Sequence, residues 1–516
     1  MSQDRPTVAV VGGGITGLVA ARALARGGAH VVLFESQELL GGKIRTDELE
    51  GRPVEAGPDS FVEREPFGAR LLCEELGLGD ELVAPAAFGA HVWTGGKLRA
   101  MPAGFVLGVP ASPVALLRSG ILSPLGAGRA LGDLVLPGPL AGGDVSVGSF
   151  VRRRFGPEVL ERLVDPILAG TRAGRADDMS LAAAAPQIDS VARAHRSVLI
   201  GLMRGRRTGD PGSGAPKFLG LRAGMQSLVE RLRADLGPSV ELRTGAMVTR
   251  LSVDGADAGV GAGGNSSGLD RGESGAGLDT GGNGAGVGLG VPGGGLGSRG
   301  RDLVVESEGE PPFAVAGAVL AVPVFAATEI LASICPDAAR ELDAIEYASV
   351  ALVNLVYPPG AATLPPSGSG ILVPSSEGRM LAGCTWTSRK WPHAAPSDGA
   401  LTVRCFIGRS GDDAALELGD DELAARAHGE LCEAMGIGAP PRATKVVRWA
   451  RAIPQYSVGH NERMDRIDAA LAPRPTIALA GAGYRGSGLP DCIRQGEEAA
   501  RRVLDALPGA LAGARG

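Results

Sequence analysis

Aromatic residues make up only 4% of this 516-residue chain, too few for a surface on which nucleic-acid bases stack. Basic residues are not in excess either. Lys and Arg number 51 against 57 Asp and Glu, a net charge of −6, which removes the electrostatic footprint of a nucleic-acid binder. The six cysteines (73, 335, 384, 405, 432 and 492) are scattered, with no C-x-x-C pair and no histidines at ligand spacing. Six reduced thiols in a cytoplasmic protein, with neither disulfide nor metal, is the expectation. No basic segment precedes the first apolar stretch, so no signal peptide is expected. Long hydrophobic runs are also missing. Pro323 interrupts the charge-free stretch 311–328, and Pro358-Pro359 and Pro365-Pro366 break 347–376, so neither is expected to cross a membrane.

Glycine, in contrast, is abundant at 81 residues, and its placement at the N-terminus is informative. The apolar run 7–11 has strand length, and Gly12, Gly13 and Gly14 follow it, then Ile15, Thr16, Gly17 and an alanine-rich helical pattern. Gly12, Gly14 and Gly17 fit G-x-G-x-x-G. The first permits a tight turn, the second lets a pyrophosphate approach the backbone, and the third lets helix pack closely on strand. The helix start then offers free N–H groups to phosphate. A second strand over 30–34 ends in Glu35, 18 residues after Gly17, where a carboxylate accepts hydrogen bonds from a ribose diol. Glycine turns are common in such a chain. The ordered series of strand, turn, helix, strand and acid is not, and it predicts a dinucleotide site.

Downstream, Gly41-Gly42-Lys43-Ile44-Arg45 and then Gly57-Pro58-Asp59-Ser60-Phe61 place a second glycine pair beyond the acid, with basic residues close behind. This resembles the flavoproteins of the amine-oxidase superfamily and selects FAD over nicotinamide. A helix is expected over 67–76 and a hairpin around Gly95-Gly96. Helices over 112–117, 147–154 and 157–168 give a mostly helical segment. Its Arg152-Arg153-Arg154 run reads as a solvated helix face. A helix opening at Lys217 and running to Leu236, strands over 240–244 and 247–251, and a strand over 314–322 return to the dinucleotide domain. Residues 255–300 hold 20 glycines and almost no bulky apolar groups, so a disordered loop in a hairpin tip is expected there, without assigned function. Strands over 349–358, 370–374, 380–386 and 401–408, with a helix over 421–435, form a second sheet. Residues 476–483 repeat the strand-to-glycine pattern and lead into a helix over 492–507.

The most specific motifs are C-terminal: Arg448-Trp449-Ala450-Arg451-Ala452-Ile453-Pro454-Gln455-Tyr456, Gly459-His460, and Gly481-Ala482-Gly483-Tyr484-Arg485-Gly486-Ser487-Gly488-Leu489-Pro490-Asp491-Cys492. With Leu163-Val164-Asp165-Pro166-Ile167, these resemble the protoporphyrinogen/coproporphyrinogen III oxidase family over nearly the whole chain except 255–300. The stretch from Arg99 to Pro110 looks like its Gram-positive branch. The resemblance implies FAD-dependent oxidation of coproporphyrinogen III to coproporphyrin III, with oxygen as acceptor and hydrogen peroxide as product, in haem biosynthesis. Protoporphyrinogen IX oxidation is the alternative, followed by an amine oxidase or a carotenoid desaturase of the same superfamily.

By the same resemblance, Gly12, Gly13, Gly14, Ile15, Thr16, Gly17, Glu35, Ser36, Lys43, Gly57, Pro58, Asp59, Ser60, Val248, Trp449, Ser487, Gly488 and Leu489 touch FAD. No side chain is implied as an obligatory acid or base, and no catalytic residue is named. Independently, the glycines over 481–488 at a helix start can set N–H donors where charge develops on a reduced ring. Arg45, Arg99, Lys217 and Arg222 are available cations for propionates, but nothing in the sequence brings them to a pocket. The fold expectation is α/β (mixed α+β): a Rossmann-like FAD-binding domain over 1–90, 215–325 and 446–516, a mostly helical insertion over 91–214, and a substrate-binding sheet domain over 326–445. A cytoplasmic location is expected, with porphyrinogen and oxygen as partners and no nucleic acid. Peripheral contact with the inner face of the membrane and hand-over to a downstream haem-pathway enzyme stay open.

Overall fold

The computed structural model describes residues 5–63, 68–101, 105–106, 109–110, 117–136, 138–208, 218–253 and 303–507. A five-stranded parallel sheet carries the first motif. Its strands lie in the order Val240–Arg243, His30–Phe34, Thr7–Val11, Gly317–Leu320, Ile477–Leu479, so three distant parts of the chain share one sheet. The strands other than the edge strand Val240–Arg243 are near-continuous apolar runs because helices cover both faces. Ile15–Arg26 and Leu489–Ala506 pack on one face, and Gly496 makes that approach close: a Cβ there would stand 2.6 Å from the Thr16 carbonyl. Val324–Leu331, Pro336–Asp343 and His460–Leu471 cover the other face.

The second sheet has seven strands, ordered Ala443–Pro454, Tyr347–Tyr357, Leu401–Ile407, Leu381–Trp386, Gly370–Leu372, His91–Thr94 and Lys97–Ala100. The hairpin at Gly95-Gly96 forms as expected and lies at the edge of this sheet. Alternation along Tyr347–Tyr357 sends Val353, Leu355 and Tyr357 toward the Asp420–Met435 helix, where Leu423, Ala427 and Leu431 are buried. The opposite face turns Leu352 toward Ala56, Val447 and Trp449.

The third body is helical and includes Val147–Phe155, Asp165–Arg172, Pro186–Ala194 and Val198–Thr208, around Phe150, Phe155, Leu163 and Leu199. The arginine run is not a uniform solvated face. Arg154 is buried 3.3 Å from Asp133, whose other oxygen accepts from Ser197 (2.7 Å) and the Leu199 N–H (3.0 Å).

Several elements differ from the sequence expectation. The helix expected from Lys217 begins instead at Gln226 and ends at Asp235, because Phe218–Leu221 is a strand pairing with Phe61-Val62 on one side and Leu82-Val83 on the other. The strand expected over 314–322 is two: Phe313–Val315 joins an antiparallel three-stranded sheet, and Gly317–Leu320 the parallel one. Val248–Val253 pairs with Leu303–Ser307 as a hairpin, while the glycine-rich stretch 255–300 lies outside the described residues. The helix expected over 112–117 lies outside them except for Leu117.

Candidate functional site

The three fingerprint glycines occupy three different environments. Gly12 has φ +104° and its hypothetical Cβ would lie 2.6 Å from the Ala321 carbonyl, so the turn excludes a side chain. At Gly17 a Cβ would stand 1.8 Å from the Gly12 carbonyl, the close helix–strand contact. A Cβ on Gly14 would meet nothing within 4 Å, and no side chain caps the helix it begins. That open room at an uncapped helix start fits a pyrophosphate.

Glu35 sits at the end of the second strand, and its carboxylate reaches back to the turn. One oxygen accepts from the Gly13 N–H (2.7 Å), the other from the Gln37 N–H (2.9 Å) and the Ser36 hydroxyl (3.2 Å). The Ala246 N–H donates to the Glu35 carbonyl at 2.9 Å, which draws the segment leading to buried Val248 alongside the same strand end.

The 41–60 segment closes over the turn. The Gly41 N–H donates to the Gly13 carbonyl (2.9 Å), and Gly57 approaches so closely that a Cβ would be 1.8 Å from the Lys43 carbonyl. Burial pulls the Lys43 pKa down, and its ammonium lies 5.9 Å from the centre of the Tyr347 ring. Among the described residues no carboxylate lies within 4.0 Å of it. A half-buried cation with no carboxylate partner beside a glycine turn fits an anionic or electron-rich partner.

Asp59 and Trp449 are engaged elsewhere. Asp59 accepts from Lys390 (2.8 Å), Trp391 (3.1 Å) and Ser60 (2.8 Å). Burial pushes its pKa up, but Arg404 and Lys390 outweigh that and hold it far below the usual carboxylate range. It ties the loop carrying Gly57 and Pro58 to the second sheet. Trp449 does the same by donating to the Ala56 carbonyl at 2.6 Å.

The C-terminal glycine turn meets the first motif from the other side. Gly481 and Gly486 take positive φ (134° and 111°), and Gly488 is the N-cap of the 18-residue Leu489–Ala506 helix, with no side-chain capping bond. Gln495 braces the turn: its oxygen accepts from Gly481 (3.4 Å) and Arg485 (3.3 Å), and its amide donates to the Gly486 carbonyl (3.0 Å). His460 meets the Tyr484 carbonyl at 2.6 Å, and burial lowers its pKa. Arg172 donates to Ser487 at 3.3 Å, linking the helical body to this turn. Ser487, Gly488 and Leu489 thus stand at a helix start, where Tyr456 and His460, two residues of the C-terminal motifs, act as supports together with Gln495, which the sequence did not single out.

A cavity of about 670 Å³ lies between the helical body and the second sheet. Its wall includes Gly174, two residues beyond Arg172, and Ser410, whose N–H donates to the Ala173 carbonyl at 2.6 Å. Its arginines are Arg152, Arg175, Arg379, Arg409 and Arg426. Neither Arg45, paired with Asp47 at 3.0 Å, nor Arg99 nor Arg222 lines it, and Lys217 lies outside the described residues. The five arginines are separated in sequence and carry no motif, so only folding gathers them. Among the described residues no cluster of three or more His, Cys, Asp or Glu is placed to hold a metal ion, and no helix is long and apolar enough to cross a membrane.

Comparison with known proteins agrees with this geometry. The model of the flavin containing amine oxidoreductase family matches residues 15–270 and 295–504. The chain is 32% identical to the coproporphyrinogen III oxidase of Bacillus subtilis, over 98% of this chain and 99% of that one. It is 33% identical to the coproporphyrinogen III oxidase of Propionibacterium freudenreichii, over 96% and 90%. Among solved structures, a proposed protoporphyrinogen oxidase from Exiguobacterium sp. 255-15 superposes with a TM-score of 0.77 at 27% identity, over 97% of this chain and 99% of that one. The chain belongs to the flavin containing amine oxidoreductases, within the family that holds the coproporphyrinogen III oxidases, and FAD is its cofactor.

Proposed function

We propose that this protein oxidises coproporphyrinogen III to coproporphyrin III with oxygen as acceptor, releasing hydrogen peroxide, as a step of haem synthesis. The observation that carries the reading is the end-to-end match to coproporphyrinogen III oxidases together with a glycine cradle whose open room lies at Gly14. Bound FAD supplies hydride acceptance and the return of electrons to oxygen.

The chain's own residues position the reactants. Gly12, Gly13, Gly14, Ile15, Thr16 and Gly17 hold the pyrophosphate, with Glu35 and Ser36 at the ribose and Val248 at the adenine side. Lys43, Gly57 and Pro58 close over the cofactor. Asp59 and Ser60 continue that loop toward the cofactor, and Trp449 of the second sheet holds it there through the Ala56 carbonyl. Ser487, Gly488 and Leu489 present backbone N–H groups toward the ring end, where negative charge develops on reduction. The cavity beside Gly174 receives the macrocycle. Its size is that of a site for one large ligand.

The same reading divides the chain into an FAD-binding domain from 1–90, 215–325 and 446–516, a helical cover over 91–214, and a sheet domain over 326–445. It also places the protein in the cytoplasm, in peripheral contact with the inner face of the membrane and handing product to the next haem-pathway enzyme. Leu125 and Val135, 85% and 77% exposed on the helical body, support such a contact. Oxidation of protoporphyrinogen IX is the second reading, favoured by the name of the Exiguobacterium neighbour.

The test is stoichiometric. Purified protein should be yellow and release FAD on denaturation. It should convert coproporphyrinogen III aerobically with about three peroxides per macrocycle, because six electrons leave in pairs. A yellow protein that oxidises no porphyrinogen overturns the reading.

A further inference from the structure

Four of the five cavity arginines already have carboxylate partners. Arg152 pairs with Asp177 at 3.0 Å, Arg175 with Asp178 at 3.8 Å, Arg379 with Glu433 at 2.6 Å, and Arg426 with Glu422 at 2.6 Å. Arg409 is different. Its two terminal nitrogens donate to three backbone carbonyls: Val373 (2.9 Å), Leu381 (3.2 Å) and Arg379 (3.4 Å). Its Nε is buried without a partner, and among the described residues no carboxylate oxygen lies within 4.0 Å of the group. Burial pulls its pKa down, with Asp165, Asp412 and Glu430 opposing only at longer range.

A guanidinium held by three carbonyls has already lost its conformational freedom, and it keeps a charge that nothing in contact neutralises. An incoming carboxylate would complete it with a charge-assisted bond at little further ordering cost. The rest of the wall limits how many carboxylates can enter. Asp177 is matched by Arg152, but Glu161, Asp165 and Asp412 also line the cavity and would repel a second anion placed near them. The location suits a substrate group, since the wall runs from Ser410 through Ala173 and Gly174 to Arg172, which touches Ser487.

We propose that Arg409 receives one carboxylate side chain of the tetrapyrrole in this cavity and so contributes to selection by carboxylate position. This rests on the coproporphyrinogen reading above. It names the specificity residue that the scattered sequence positions conceal.

The experiment titrates the FAD-loaded protein with coproporphyrin III and, separately, with its tetramethyl ester, following porphyrin fluorescence. Two variants are used. Arg409→Gln removes the charge; Ser410→Glu sets a carboxylate beside it while leaving the three carbonyl bonds in place. Both should weaken coproporphyrin III binding about ten- to a hundredfold, the range of one charge-assisted bond. Ester binding should be the same in all three proteins, and the loss in kcat/KM for coproporphyrinogen III should fall on KM. Unchanged coproporphyrin III binding in the folded variants overturns the proposal, and so does an equal loss for the ester, which would mean wall packing instead of charge recognition. If Arg409→Gln does not fold, Ser410→Glu decides alone. A wild-type protein that binds and oxidises no porphyrinogen removes the underlying reading as well, which separates the two failures.

Discussion

The Tyr456 ring stacks on the His460 imidazole, 4.1 Å between centroids and 17° from parallel, and both side chains hold the same glycine turn. The Tyr456 hydroxyl donates to the Ala482 carbonyl at 2.6 Å and accepts from the Gly486 N–H at 3.1 Å, so one oxygen clamps both ends of the turn. In Tyr456→Phe both backbone groups lose that partner inside a buried region, a cost of about 1–3 kcal/mol. The variant should fold, melt a few degrees lower, bind FAD more weakly and show a shifted flavin absorption band. An unaltered band and FAD affinity would mean that the turn holds its shape without the clamp.

The fingerprint glycines should fail in different ways. At Gly14 there is room for a side chain in the free protein, so Gly14→Val should fold but lose FAD. At Gly17 a Cβ would meet the Gly12 carbonyl at 1.8 Å, so Gly17→Ala should lose stability by about 1–3 kcal/mol or more, whether or not flavin is present. Thermal melting with and without added FAD separates the two. A Gly14→Val protein that stays yellow would contradict the pyrophosphate placement.

Glu55 gives the fold a pH signature. Burial pushes its pKa up to about 7, against hydrogen bonds from the Met225 N–H and Thr46 and the nearby charge of Arg404. A free glutamate titrates near 4.3, so between these values the folded state holds the extra proton. Its contribution to stability is therefore full below about pH 4.3 and is lost as pH rises through about 7, at up to about 1.4 kcal/mol per pH unit. Glu55→Gln keeps an acceptor for Met225 and cannot ionise. The difference in stability between variant and wild type should grow in the variant's favour from pH 5 to pH 7.5. A flat difference would contradict the assignment.

All six cysteines are free; five are buried and Cys432 is partly exposed. Burial raises the pKa of Cys73, Cys384 and Cys492 to about 12, 12 and 11, which leaves almost no thiolate at neutral pH. A thiol reagent should titrate six groups in denaturant and at most one quickly in the native protein. Fewer than six in denaturant without reductant would reveal a disulfide.

Much of this was legible in the sequence because local chemistry dictated it. Gly12, Gly14, Gly17 and Glu35 lie within one βαβ unit, and the spacing that a tight turn and a close helix require is written contiguously. The C-terminal turn was readable for the same reason. What could not be read depends on contacts distant in sequence. Phe218–Leu221 is a strand because Phe61-Val62 and Leu82-Val83 offer it edges, which no local pattern reports. Arg154 looks like its exposed neighbour Arg153 until Asp133 is folded beneath it. Asp59 reads as part of a cofactor motif, yet Lys390 and Trp391 claim its carboxylate from more than 300 residues away. The cavity arginines come from five separate elements or loops, so their grouping exists only in three dimensions.

The most direct measurement compares coproporphyrinogen III with protoporphyrinogen IX as aerobic substrates of the purified FAD-loaded protein, recording porphyrin fluorescence and peroxide together. The account predicts a clear preference for coproporphyrinogen III in kcat/KM, with peroxide formed in step with porphyrin. A preference for protoporphyrinogen IX, or no oxidation of either by a yellow protein, would contradict it.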